Sequence, residues 1–108
     1  MNIAQVSINY SVSPQLDPSA IEAIKDLGFV AVICNRPDGE EPGQATAAEI
    51  AAACEQYGLS FHHIPVSGMP IPVDAIEKHR QIVDTSGGAV LAYCRSGQRS
   101  IIIWQASA

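Results

Sequence analysis

Apolar residues along this chain fall into short blocks separated by polar, glycine- and proline-containing segments. Two near-continuous apolar runs, "FVAVICN" from Phe29 and "AVLAYC" from Ala89, read as strands covered on both faces of a parallel sheet. "LSFHHIPV" reads as a third strand, and Tyr10 to Ser13 as a short strand at the sheet edge. Helical patterns lie between them. "DPSAIEAIKDLG" has Asp17 as N-cap, Pro18 in the first turn, Ile21, Ile24 and Leu27 on one face, and Gly28 as the stop. Thr46 and Glu49 form a capping box for "AAEIAAACEQYG", which closes at Gly58. "PVDAIEKHRQIVDTSGG" holds a third helix and its exit, and "SIIIWQASA" starts a last one, apolar on more than one face.

The order β-α-β-α-β-α-β-loop-α predicts a three-layer α/β fold, with a mostly parallel central sheet of about four to five strands flanked by helices. In such sheets the ligand crevice lies beyond the carboxyl ends of the strands. Cys94 sits at such an end, as do the "NRPDGEE" turn and the loop after "HHIPV".

Composition narrows the possibilities. With 108 residues and 47% hydrophobic content, residues 1–108 suit one domain, which a longer parent chain could continue at the C-terminus. A net charge of −5 with six Lys and Arg leaves no basic patch for nucleic acid. The longest apolar runs, six or seven residues, are far short of a membrane helix. "MNIAQVSINYSVS" lacks the basic and apolar regions of a secretory signal, so a soluble cytoplasmic protein is expected. Three cysteines without a CxxC pair fit reduced thiols better than disulfides. His62 and His63 point to opposite faces of their strand and His79 lies in a helix, so neither a metal nor another cofactor is expected.

Cys34 continues a strand run and Cys54 lies four residues after Ile50 on an apolar helix face, positions where cysteine serves as small core. Cys94 differs, because "CRSGQRS" surrounds it with other chemistry. A thiol attacks as thiolate, and loop N–H groups, a helix N-terminus and nearby arginines all favour that anion. Gly97 permits positive φ, Arg95 and Arg99 supply charge, and Ser100 can cap the helix or hydrogen-bond the sulfur. The same cradle, Arg95, Ser96, Gly97, Gln98 and Ser100, would bind an incoming phosphate, thiosulfate or persulfide.

"CRSGQRS" resembles the active-site loop of the cysteine phosphatase and rhodanese groups. Together with "SVSPQL", "NRPDGEEPGQ", "HHIPV" and "LAYCRSGQRS", spanning about Tyr10 to Trp104, it resembles the beta-lactamase hydrolase-like protein, phosphatase-like domain family. Members are also described as sulfurtransferases. The resemblance implies a protein tyrosine phosphatase-like fold, found alone or fused to persulfide-oxidising domains. It implies Cys94 as nucleophile and Arg95 to Arg99 as the anion-binding loop, with Cys94 and Arg99 catalytic.

Two departures bear on the reaction. Four residues separate Cys94 from Arg99, one fewer than in the tyrosine phosphatase signature, and Tyr93 replaces its usual histidine. In the rhodanese superfamily the shorter loop is typical of sulfurtransferases. Phosphatases of this fold usually place an Asp after the strand matching "HHIPV", whereas "SGMPIP" has no carboxylate. Asp74 comes later and belongs with the helix. Arg36, Asp38, Glu40 or Glu41 could serve at the mouth, the carboxylates as acid, if "RPDGEE" folds over it; the alternative is a solvated turn.

The expectation is therefore a rhodanese-like sulfurtransferase that carries sulfane sulfur on Cys94 from a small anionic donor to a thiol acceptor. A cysteine-dependent phosphatase and a non-catalytic interaction domain are the alternatives. Partners would be a second copy, meeting through part of the last helix, or a persulfide-oxidising domain.

Overall fold

The computed structural model describes residues 2–107. Five strands form one sheet: β1 (Ala4–Ser7), β2 (Tyr10–Ser13), β3 (Phe29–Cys34), β4 (Ser60–His63) and β5 (Ala89–Tyr93), in the order β1-β2-β5-β3-β4. β1 runs antiparallel to β2, and the other neighbours are parallel. The helices are α1 (Ile21–Asp26), α2 (Ala47–Gln56), α3 (Val73–Thr85) and α4 (Gln98–Ala106), and a 3-10 turn, Pro18–Ala20, leads into α1.

Side chains alternating along the strands feed two cores. Ile33, Val90 and Ala92 pack with Ile82 and Val83 of α3 and Ile103 of α4. Val32, Cys34 and Leu91 pack on the opposite face with Ile24 of α1 and Ile50 of α2. The expected mostly parallel, three-layer arrangement is thus present.

Three expectations need correction. Tyr10–Ser13 is an inner strand, because β1 pairs outside it. β1 leaves no apolar alternation in the sequence, because Ala4, Gln5 and Val6 all face solvent. Leu27 does not share the buried face of Ile21 and Ile24: α1 ends at Asp26, and Leu27 is 63% exposed where the chain turns at Gly28, φ +99°. α4 begins at Gln98, two residues ahead of the serine expected to start it. Gly97 already supplies the left-handed residue that turns the chain into the helix.

Candidate active site

β5 is the middle strand, and its register pairs Tyr93 with Ser13 on one side and Cys34 on the other. Cys94 therefore emerges at the centre of the carboxyl edge. Its N–H donates to Ser13 O at 3.4 Å, and Gln15 N–H donates to Arg95 O at 3.3 Å, so the β2 exit flanks the loop.

The loop folds back on its own sulfur. Gly97 at φ +94° directs its N–H to Cys94 Sγ at 3.0 Å. Burial alone would raise the thiol pKa. The backbone N–H groups of Ser100, Ser96, Gly97 and Arg99 outweigh it, and the thiol is held below its ordinary value. A side chain at position 97 would be strained at this φ and would place its Cβ 3.4 Å from Ser13 O. Cys94 is itself fully buried, while Arg95, Ser96 and Gln98 are exposed, so the loop also covers the sulfur.

Ser100 acts through its backbone. Its hydroxyl donates to Asn35 Oδ1 at 2.8 Å and makes no cap for α4, and it is the amide that serves the sulfur. The expectation that its side chain caps the helix or bonds the sulfur is corrected: Asn35 offers a nearby buried acceptor.

The "RPDGEE" turn reaches the site through one carboxylate. Arg99 Nη1 and Nη2 donate to Glu40 Oε2 and Oε1 at 2.8 and 2.7 Å, and Nη1 also donates to Val66 O at 2.8 Å. Glu40 Oε1 accepts from Arg36 Nε at 2.9 Å as well. Arg99 foremost, with Arg36, overcomes partial desolvation and pulls the Glu40 carboxyl down to about 2. Glu40 is thus at the mouth but carries no proton to donate near neutrality.

Arg36 is not a mouth residue. It is 1% exposed, gripping Glu40, Glu41 and Gln15 from beneath, and so ties the turn to the β2 exit. The Asp38 carboxylate is engaged elsewhere, accepting Ala47 N–H at 2.8 Å at the start of α2. Asp74 is exposed in the first turn of α3. The geometry brings Cys94, Arg99 and Glu40 together and leaves Asp38 and Asp74 outside.

A cleft of about 360 Å³ lies beside the loop, lined by Arg95, Gln98, Arg99 and Ile102 from the loop and α4 and by Val66 and Met69 from the segment after β4. Its lining combines cationic and polar side chains with apolar ones. Beneath the loop lie three residues that the sequence does not mark as part of a site: Tyr10, Asn35 and His79, all joined by hydrogen bonds to Ser100 or to each other. They are far apart in the chain, with no spacing motif. The available signal was a histidine on the apolar face of α3, in line with Ile76 and Val83.

A doubly covered, mostly parallel sheet with a cysteine at the end of its middle strand, leading through an amide-lined turn into a helix, defines a fold of the protein tyrosine phosphatase type. The chain belongs to the family described as beta-lactamase hydrolase-like protein, phosphatase-like domain, whose model matches residues 2–108. It is 30% identical over 107 residues to the beta-lactamase hydrolase-like protein of Xylella fastidiosa strain Temecula1, covering 99% of this chain and 25% of that relative. The chain thus spans about a quarter of that curated protein. The crystal structure of a Neisseria meningitidis Z2491 protein with a provisional phosphatase assignment is similar with a TM-score of 0.87 at 40% identity, covering 96% of this chain and 74% of that one. Pseudomonas aeruginosa TpbA, solved in complex with phosphotyrosine, shares the fold with a TM-score of 0.69 at 15% identity, covering 94% and 59%.

The chain is therefore a phosphatase-like domain. These comparisons favour the cysteine-dependent hydrolase, the alternative drawn from the sequence, over sulfur transfer. No helix among the described residues is long and apolar enough to cross a membrane.

Proposed function

We propose that this domain is a cysteine-dependent enzyme of the phosphatase-like class, in which the Cys94 thiolate attacks a small anion whose leaving group departs without a proton. The observation that carries this reading is the turn of amides onto Cys94 Sγ, led by Gly97 N–H at 3.0 Å. Those amides stabilise a sulfur anion, and a substrate oxyanion replacing it would meet the same donors. Because Sγ is buried beneath the exposed Arg95, Ser96 and Gln98, the substrate reaches it as those side chains give way while the Gly97 amide stays in place. The cleft beside the turn suits an anion with a compact apolar group, held by Arg95 and the apolar lining residues.

Hydrolysis of an activated phosphate ester is the first reading, supported by the family and by the relative that is 40% identical. Cys94 Sγ bonds to phosphorus as the phosphorus–oxygen bond to the leaving group breaks. Water then cleaves the S–P bond, releasing phosphate and restoring the thiol. Glu40 is ionised and cannot protonate the leaving oxygen, so esters of acidic phenols are the substrates of choice.

The short loop between Cys94 and Arg99 favours a second reading, transfer of sulfane sulfur. Here Sγ attacks the outer sulfur of thiosulfate or an organic persulfide, and sulfite or a thiolate leaves. An acceptor thiolate then removes the outer sulfur and frees Cys94. Parallel assays with an aryl phosphate and with thiosulfate plus a thiol acceptor test both, read with the mass of the Cys94 peptide. A phosphoryl adduct with phosphate release supports the first reading, and one added sulfur supports the second. No turnover and no adduct with either substrate would overturn the proposal.

A further inference from the structure

Four buried polar side chains under the loop close a single hydrogen-bond ring. Tyr10 comes from β2, Asn35 from the residue after β3, His79 from α3 and Ser100 from α4, and each is at most 1% exposed. The Tyr10 hydroxyl donates to Ser100 O at 2.7 Å, so its oxygen accepts from His79 Nε2 at 2.9 Å. His79 is then the neutral Nε2–H tautomer, and its bare Nδ1 accepts from Asn35 Nδ2 at 3.4 Å. The Asn35 amide cannot be reversed, because Nδ2 also donates to Ile64 O at 3.0 Å and a flip would set two oxygens face to face. Ser100 Oγ donates to Asn35 Oδ1 at 2.8 Å and completes the circuit.

Every bond in the ring points the same way, from Ser100 hydroxyl to Asn35, to His79, to Tyr10, and back to Ser100 carbonyl. Such a circuit is mutually polarising and tolerates no member with the wrong donor pattern. Trp104 stacks on the Tyr10 ring at 4.4 Å, and the Arg80 guanidinium lies 3.9 Å over Trp104, closing the flank. Ser100 is thus gripped at its hydroxyl and at its carbonyl, and its own N–H serves the Cys94 sulfur.

We propose that this ring is the positioning device of the nucleophile: acting through Ser100, Tyr10, Asn35 and His79 hold the end of the loop so that its amides face Cys94 Sγ. An apolar core of the same shape would hold the helices together, but it would leave the angle of Ser100 free. The proposal goes beyond the reaction assigned above and needs only that Cys94 be the reactive thiol.

The pH midpoint of Cys94 alkylation tests it, measured by peptide mass spectrometry beside Tm. The groups facing the sulfur are Tyr10 from β2, Cys34 from β3 and Arg99 from α4, all held above their ordinary pKa, so the midpoint reports Cys94. His79 faces Tyr10 and Arg80; burial and then Arg80 bring it down to about 4, so it stays neutral through the range. His79→Leu and Tyr10→Phe are expected to move the midpoint upward and slow alkylation at neutral pH by about threefold to tenfold. His79→Gln, which offers one donor and one acceptor, restores most of the loss. Ile82→Ala, in the same core but outside the ring, lowers Tm without moving the midpoint.

If His79→Leu does not fold, Tyr10→Phe carries the test, since it removes one oxygen and keeps the stack on Trp104. Midpoints that stay at the wild-type value while Tm falls, as in Ile82→Ala, would overturn the proposal. A shifted midpoint in an enzyme that turns over neither substrate would uphold the ring and sink the assigned reaction.

Discussion

Cys34 and Cys94 end neighbouring parallel strands, within one residue of the same register, and both are buried. Their thiols are nevertheless pushed in opposite directions. Burial raises Cys34, whose Sγ donates to Arg36 O at 3.3 Å and so remains a thiol. Cys94 suffers the same desolvation, but amides donate to its sulfur and lower it. The difference lies in the path the chain takes out of each strand. After Cys34 it enters Asn35 and a buried arginine that leads into a proline turn. After Cys94, Gly97 reverses the chain and a helix begins, so successive N–H groups converge on one point. Burial places a cysteine, and the donor pattern of the next turn decides whether it reacts.

Removing the nucleophile should break this contrast most severely. Cys94→Ser is expected to lower kcat/KM by roughly a thousandfold or more, whichever substrate proves competent. Gly97→Ala comes next, because it strains the residue that aims an N–H at the sulfur. It should cost about tenfold at neutral pH and raise the alkylation midpoint, since one unit of pKa is about a factor of ten in thiolate.

Glu40→Gln tests the Arg99 clamp, with an expected loss of about fivefold in kcat/KM, mostly in KM. The pH dependence of stability has a definite sign. A Glu40 carboxyl at about 2 in the fold, against 4.5 as the ordinary value, contributes stability that is complete above that ordinary value and is lost as pH falls toward 2. Acid unfolding of Glu40→Gln, monitored by circular dichroism, should therefore begin at higher pH than in the wild type. The smallest effect on chemistry belongs to Cys34→Ala. It should cost about 1 kcal/mol of stability through lost packing and leave kcat/KM within about twofold. A tenfold loss of activity there would erase the contrast.

The residues at the heart of this contrast are legible in the sequence, and those that support them are not. Cys94, Gly97 and Arg99 lie within six residues, so local spacing alone places an amide turn after a strand. The strands β3 and β5 are equally plain, because burial on both faces writes a continuous apolar run. β1 leaves no such mark, because its side chains meet solvent and its pairing is with a neighbour it does not resemble. Arg36 and Asp38 read as mouth residues because a polar turn gives no sign of which side chains fold inward. In the fold Arg36 is buried and Asp38 accepts Ala47 N–H at the start of α2. The Tyr10–Asn35–His79–Ser100 ring depends on four elements meeting in space, and nothing local encodes it.

Cys94 must be the reactive thiolate of this molecule for any of these contrasts to hold. Competitive alkylation of the native protein with iodoacetate from about pH 5 to 9, resolved by peptide, tests that directly. Cys94 should label first, with a midpoint below the ordinary thiol value, while Cys34 and Cys54, both raised by burial, lag far behind. Labelling of Cys94 no faster than of Cys34, or with a midpoint at or above that of a free thiol, would contradict it.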